Sequence, residues 1–169
     1  GEYTLAGAAI IMGLFAILAV GVFVLREQVG AYVEYPAAGY VAVILLVLLV
    51  NGLVNALLVG LKLVHVSGIL SPIKTGGRAV SQILLIVAGA STAALFIGHI
   101  LGFIAVIAVG SYYALRNLPS LGVPSRRHFK RVFDFAKFSW LGSLQSQMFR
   151  YTDVLVLGYF VSSGVIGIY

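Results

Sequence analysis

The sequence predicts an all-α, polytopic transmembrane helix bundle, and composition, run length and the lack of strand alternation together predict it. Of 169 residues, 61% are hydrophobic and only 9% are charged, whereas soluble domains carry about 25% charged residues. The mean hydropathy is +1.08. The apolar runs reach the roughly 20 residues that a membrane helix needs and exceed the roughly ten residues of a barrel strand. The chain is therefore expected to cross a membrane several times.

The apolar runs predict five spans, with a sixth segment beginning near Val165. Spans A to E are expected at about 4–25, 38–61, 76–89, 92–115 and 135–158. A short loop should join spans A and B. Pro72 and the glycine pair at 76–77 are expected to break the connector 62–78 before a short span C. The turn between spans C and D is expected at 89–92; one kinked helix over 79–115 is the alternative, but it would exceed the bilayer.

Charged residues predict the direction of the spans. Lys and Arg collect in the connector 62–78 and in the basic connector 116–134, RNLPSLGVPSRRHFKRVFD, whereas the A–B loop and the C–D turn hold few. Because Lys and Arg concentrate on cytoplasmic loops, both connectors are expected on the cytoplasmic side. The net charge of +6 is thus interpreted as topological anchoring and not as nucleic-acid binding, with attraction of anionic lipids by 126–131 as a further interpretation.

A polar stripe in span E is the strongest indication of function. Its members are spaced 4, 3, 4 and 3 residues apart and so share one face of a helix; they are Ser139, Ser143, Ser146, Arg150 and Asp153. Charged groups are costly in lipid and normally face protein or a water-filled cavity. We therefore expect the stripe to line a substrate pathway. A structural ion pair between Arg150 and Asp153, three residues apart, is the alternative.

Three polar residues of other spans extend this candidate pathway. Asn51 and Asn55 lie four residues apart on one face of span B. They are interpreted either as an interhelical hydrogen-bonding pair or as a polar patch facing the pathway. His99 in span D either makes an ordinary hydrogen bond, binds an anion or relays a proton.

Two features of spans C and D predict close helix packing. Gly98 and Gly102 form a small-xxx-small pair, which lets two helices approach closely. Gln82 is expected to make a packing hydrogen bond. Neither feature by itself indicates a substrate.

Residues for enzyme chemistry are not grouped in this sequence. There is no cysteine, so no disulfide or thiolate is available, and the three histidines lack metal-ligand spacing. The sequence holds no phosphate-cradling glycine loop with a lysine, no nucleophile elbow and no paired carboxylates. Neither an enzyme nor a bound metal or cofactor is expected.

The C-terminal segment FDFAKFSWLGSLQSQMFRYTDVLVLGYFVSSGVIGIY resembles helix 7 and the start of helix 8 of polysaccharide and oligosaccharide flippases. These belong to the multidrug/oligosaccharidyl-lipid/polysaccharide exporter superfamily. The matching elements are Phe135-x-x-Phe138, Asp153 before Leu157-Gly158-Tyr159-Phe160, and Gly164-x-x-Gly167-x-Tyr169. The opening GEYTLAG resembles the start of helix 3, and LVGLKLVHVSGILSPIKTGGRAVSQ resembles the helix 4–5 connector of archaeal members.

The resemblance implies a two-lobe, six-plus-six-helix transporter of a prokaryotic cytoplasmic membrane. Residues 1–115 would be helices 3–6 of the first lobe, 116–134 the basic cytoplasmic linker, and 135–169 helix 7 and the start of helix 8. The chain is thus expected to be an internal piece of a longer protein. The implied activity is alternating-access flipping of a lipid-linked oligosaccharide, for surface polysaccharide or glycoprotein assembly. The implied partners are membrane lipids, the lipid-linked glycan and glycan-assembly enzymes.

Two other functions compete with this interpretation. A cation-coupled multidrug exporter of the same superfamily would favour a carboxylate inside the first lobe, and spans A to D contain no interior Asp or Glu. A non-transporting membrane scaffold or assembly partner would instead bury the polar stripe of span E in helix contacts.

Overall fold

The computed structural model describes residues 1–33, 35–118 and 122–137, and the regular structure in these ranges is helical. The chain divides into two units, residues 1–125 and 126–169. The first unit contains α1 (Glu2–Val24), α2 (Arg26–Val33), α3 (Ala38–Gly60), α4 (Val64–Val87) and α5 (Ser91–Asn117). In the second unit residues 126–137 are helical. The all-α prediction is confirmed for the described residues, whereas the polar stripe of span E lies outside them.

Three of the described helices are long and apolar enough to cross a membrane. They are α1, α3 and α5, with 23, 23 and 27 residues. At about 1.5 Å per residue each is longer than the roughly 30 Å hydrocarbon core of a bilayer. These helices confirm predicted spans A, B and D.

The loop predicted after span A begins as a helix. Helix α2 follows α1 after a single residue, Leu25. The N–H of Leu25 donates to the Gly21 carbonyl at 3.0 Å, and the N–H of Val29 donates to the Leu25 carbonyl at 2.9 Å. Helical bonding therefore continues across the junction, because Arg26, Glu27 and Gln28 are good helix formers and the first proline comes only at residue 36.

Helix α4 corrects the prediction for residues 62–89. It runs without a break from Val64 to Val87, with Pro72 inside it. Most of the expected connector 62–78 and the expected short span C are therefore one helix of 24 residues. Pro72 lacks the N–H that would reach the carbonyl of residue 68, but packing against neighbouring helices can maintain a helix through such a breaker.

The helices of the first unit pack in alternating directions. Helix α4 runs antiparallel to α5, since Gln82 lies against Gly98 and Arg78 against Gly102. Helices α3 and α5 run in the same direction, and the rings of Tyr40 and Phe96 near their starts are 5.3 Å apart. The apolar core where α3, α4 and α5 meet is formed by Val54, Leu58, Leu70, Val106 and Ala114. The end of α3 and the end of α5 consequently lie at the same end of the bundle.

Residues with a left-handed backbone conformation allow the sharp turns between these helices. Gly89 has a φ of +90°, a conformation that glycine adopts without steric cost, and the N–H of Ala90 donates to the Leu85 carbonyl at 2.9 Å. Lys62, with a φ of 61°, has the same role after α3. The predicted turn at 89–92 is confirmed.

Candidate functional site

Helix α4 carries a polar stripe that the sequence analysis missed. Its members are spaced 4, 3, 4 and 4 residues apart and so follow one helix face; they are Ser67, Ser71, Lys74, Arg78 and Gln82. The predicted break at Pro72 and the glycine pair assigned the first four to the connector 62–78 and Gln82 to span C. The signal that would have found the stripe is the same helical spacing that marked the stripe in span E.

A polar cavity of about 270 Å³ lies between α3, α4 and α5. Its polar lining consists of amides, hydroxyls and one ammonium group; these belong to Asn51, Asn55, Ser67, Ser71 and Lys74. Apolar side chains of the core, among them Val54, Leu70 and Val106, complete the wall. Hydrogen-bonding groups and one cation thus converge on a small space beside the apolar core.

Asn51 and Asn55 line this cavity from one face of α3, as their four-residue spacing predicted. Asn51, Val54, Asn55 and Leu58 share one face of the helix, and all four line the cavity. The Ser67 hydroxyl donates a hydrogen bond to Asn55 Oδ1 across the α3–α4 interface. The interhelical hydrogen bond is therefore confirmed for Asn55. The interpretation of the pair as facing a substrate pathway stays a prediction.

Lys74 connects the cavity to an aromatic side chain of α5. Its Nζ lies 5.2 Å from the centroid of the Phe103 ring, within the roughly 6 Å range of a cation–π interaction. The His99 ring, one turn earlier on α5, lies 4.9 Å from the Phe103 ring. Lys74 and His99 therefore both lie beside the buried Phe103.

Arg78 packs at a close approach of α4 and α5. A Cβ added to Gly102 would lie 3.0 Å from the backbone N and Cα of Arg78. The Nε of Arg78 is buried and has no hydrogen-bond partner among the described residues. Helices α3, α4 and α5 contain no Asp or Glu. The guanidinium and the Lys74 ammonium thus lie in the helix bundle without a carboxylate from these three helices.

The placement of Lys74 and Arg78 corrects the charge argument. Both were counted as loop cations that fix the connector 62–78 on the cytoplasmic side. They lie instead in the middle of α4, and the α3–α4 turn keeps Lys62 as its cation. The cytoplasmic position of the basic connector 116–134 stays a prediction that rests on its own arginines and lysine.

Glycines of α5 hold α4 in place. A Cβ on Gly98 would overlap the Gln82 side chain and come within 2.8 Å of its backbone N. The Gln82 Nε2 donates to the Leu95 carbonyl at 2.8 Å. The small-xxx-small prediction for Gly98 and Gly102 and the packing hydrogen bond of Gln82 are both confirmed. This close approach positions the polar face of α4 against α3 and α5.

The described residues hold no group of three His, Asp or Glu side chains that could bind a metal ion. The polar side chains in and beside the α3–α4–α5 cavity instead supply hydrogen-bond donors, hydrogen-bond acceptors and cations. Such a set binds anions and hydroxyl-rich groups. The predicted residues Ser139, Ser143, Ser146, Arg150 and Asp153 lie outside the described part of the chain, so their relation to this site stays a prediction.

The chain is similar to the probable flippase AglR of Haloferax volcanii. The two are 30% identical over 165 residues, which is 98% of this chain and 33% of AglR. This similarity supports a flippase-like family. The chain spans about a third of the length of that relative. No family model matches the chain, and no solved structure matches it.

Proposed function

We propose that this chain is part of a transporter that flips a lipid-linked oligosaccharide across the cytoplasmic membrane. The transport would proceed by alternating access and serve surface polysaccharide or glycoprotein assembly. The observation that carries this proposal is the similarity to a probable flippase over 98% of the chain. It favours transport over enzyme catalysis, as does the lack of a catalytic grouping in the sequence.

The chemistry of the α3–α4–α5 cavity supports this proposal. A lipid-linked glycan combines anionic phosphate with many hydroxyl groups. Phosphate oxygens accept charge-assisted hydrogen bonds from ammonium and guanidinium groups, such as those of Lys74 and Arg78. Sugar hydroxyls both donate and accept hydrogen bonds, as do the asparagine amides and serine hydroxyls of the cavity.

The proposal extends to the predicted parts of the chain. Residues 116–134 would be a cytoplasmic linker between two lobes of six helices, and span E would begin the second lobe. Its stripe of Ser139, Ser143, Ser146, Arg150 and Asp153 would line the same passage as Asn51, Asn55 and His99. Glycan-assembly enzymes would act before and after the flipping step.

One substitution tests the predicted stripe. Ser143→Cys in the native gene, with any cysteine outside residues 1–169 replaced by serine, should react with a membrane-impermeant thiol reagent, because the predicted stripe would line a water-filled passage. Labelling is expected to fall when the lipid-linked glycan is abundant. Complete lack of labelling under every condition would contradict a passage-lining position.

The function itself is tested by deleting the native gene in the source organism. Lipid-linked glycan is expected to accumulate with its sugar on the cytoplasmic face, while drug resistance stays unchanged. Unchanged glycan export with lost drug resistance would instead support the cation-coupled exporter. If a Lys74→Gln, Arg78→Met double variant restores glycan export to the deletion strain, the scaffold interpretation is supported, because a scaffold does not need cations in the cavity.

A further inference from the structure

We infer that the cavity between α3, α4 and α5 is a glycosyl phosphate site. Lys74 would bind the phosphate, and the amides and hydroxyls beside it would bind the first sugar. The recognised element is thus the junction between sugar and phosphate, and the remainder of a glycan would lie outside the cavity. This inference rests on the proposed function and names the part of the substrate that the cavity takes.

The cations of α4 have no carboxylate partner on the described helices that pack against it. Lys74 and Arg78 lie in the middle of a helix of 24 residues, and α3, α4 and α5 supply no carboxylate. A charge removed from water is costly unless it is paired and hydrogen-bonded. The buried Nε of Arg78 has no hydrogen-bond partner among the described residues. A phosphate bound by Lys74 in the cavity would supply the missing negative charge one helical turn from Arg78.

Hydroxyl groups and cations follow one another in a fixed order along α4. Ser67, Ser71 and Lys74 line the cavity, Lys74 is the last lining residue along α4, and Arg78 follows it one turn later. At about 1.5 Å per residue, Lys74 and Arg78 are separated by about 6 Å along the helix axis. A ligand that follows this face therefore meets hydroxyl groups first and cations next. A glycosyl phosphate presents its sugar hydroxyls and its phosphate in the same sequence.

The size and lining of the cavity suit a single sugar ring. Its volume of about 270 Å³ is just below the range of about 300–1,000 Å³ that small-ligand pockets occupy. A water molecule takes about 30 Å³ of liquid, so the space suits about one sugar ring and not a whole oligosaccharide. Asn51 and Asn55 provide both donors and acceptors, which a phosphate alone would not need. Phe103 lies beside the Lys74 ammonium and favours its orientation at the boundary.

The test is a binding measurement on the full-length protein in lipid nanodiscs. Isothermal titration with glucose 1-phosphate, inorganic phosphate and glucose should give the tightest binding for glucose 1-phosphate. We expect a margin of at least about tenfold over either fragment, equivalent to about 1.4 kcal/mol. Phosphatidylglycerol incorporated into the nanodisc should compete only weakly with glucose 1-phosphate for the cavity. Weak competition would distinguish a glycosyl phosphate site from a site for membrane-lipid phosphate.

Three variants separate the two halves of the site. Lys74→Gln should weaken glucose 1-phosphate and phosphate binding by at least about tenfold and leave glucose binding unchanged. Asn51→Leu, of similar shape, should remove the preference for glucose 1-phosphate over phosphate. Lys62→Gln is the matched control, because Lys62 lies in the α3–α4 turn outside the cavity lining; its binding should equal that of the native protein.

A second measurement needs no variant and so does not depend on folding. In the native protein, glucose 1-phosphate should protect Lys74, but not Lys62, from an amine-acylating reagent read by mass spectrometry. Equal acylation of Lys74 with and without the ligand would overturn the inference. So would equal affinity for glucose 1-phosphate and phosphate, or full competition by phosphatidylglycerol.

Failure of the inference and failure of the proposed function are distinguishable. If glucose 1-phosphate binds as expected but gene deletion leaves glycan export unchanged, the site stands and the flippase proposal fails. If deletion blocks export but Lys74 is neither protected nor required for binding, the flippase proposal stands and the site assignment fails.

Discussion

Helices α1 and α4 have nearly the same length but differ in where their polar residues lie. Helix α1 has 23 residues, and after Thr4 each of them is apolar or glycine. Many of its side chains are exposed, with Ile17 at 71% and Val20 at 63%. Helix α4 has 24 residues, and its Ser67, Ser71 and Lys74 line the cavity that it forms with α3 and α5. Apolarity therefore indicates which helices lie in a membrane, whereas a polar face that packs against protein indicates where a ligand would bind.

The largest expected effect comes from the glycines that set the α4–α5 distance. Gly98→Ala would bring a Cβ within 2.8 Å of the Gln82 backbone N, so overpacking should lower stability by about 1–3 kcal/mol. The matched control is Gly13→Ala in α1, where the added Cβ meets no atom within 4 Å and helix propensity favours alanine by up to about 1 kcal/mol. Thermal unfolding in nanodiscs measures both. Equal melting temperatures would show that α4 packs no more closely than α1.

Arg78 should separate stability from transport. Arg78→Met removes a guanidinium whose Nε has no described partner, and replacing a buried charge by an apolar side chain is often neutral or stabilising. Glycan export should nevertheless fall by at least about tenfold, equivalent to about 1.4 kcal/mol. Export and thermal unfolding are measured on the same variant. Arg26→Met, on exposed α2, should change neither quantity, and wild-type export by Arg78→Met would remove Arg78 from the site.

Replacing Gln82 should have a smaller effect than replacing Gly98 or Arg78. Gln82→Met keeps the side-chain shape but loses the 2.8 Å hydrogen bond to the Leu95 carbonyl. Helix–helix hydrogen bonds in membranes contribute about 0.6 kcal/mol on average, so a small drop in melting temperature is expected. Gln28→Met on α2 serves as the control. A drop as large as that of Gly98→Ala would mean that this bond, and not close packing, fixes α4.

The exposed ion pair of helix 126–137 gives the smallest expected effect. Lys137 Nζ lies 2.8 Å from Asp134 Oδ1, and its hydrogen bond and charge hold the pKa of Asp134 below the ordinary value of 3.8. A carboxyl with a lowered pKa stabilises the fold above its unfolded pKa, and this contribution is lost as the pH falls through the folded value. Exposed pairs contribute little. Asp134→Asn should therefore unfold almost like the native protein at pH 7, and the small difference should shrink as the pH falls below the folded pKa of Asp134, as followed by circular dichroism.

Hydropathy was sufficient to predict most of the fold. Runs of apolar residues placed α1, α3 and α5, and Gly89 marked the turn before α5. Helix α4 was mispredicted because Pro72 and the glycine pair break helices locally, whereas contacts with α3 and α5 maintain the helix in the folded chain. Such contacts join residues far apart in sequence and leave no local signal.

Because the sequence predicted a break within α4, half of the candidate site was not identified from the sequence. Asn51 and Asn55 were identified from their spacing alone, and both line the cavity. Lys74 and Arg78 were assigned to a loop, where a cation needs no further explanation. Once α4 is one helix, their spacing from Ser67 and Ser71 becomes a stripe. The cluster around Phe103 could not have been predicted, because it depends on the register of α4 against α5.

The most direct test of the polar face of α4 is the sidedness of lipid-linked glycan in cells that carry Lys74→Gln or Lys62→Gln at matched protein levels. We predict that Lys74→Gln leaves the glycan on the cytoplasmic face, whereas Lys62→Gln exports it as the native protein does. Normal export by both variants would contradict the assignment of function to this helix.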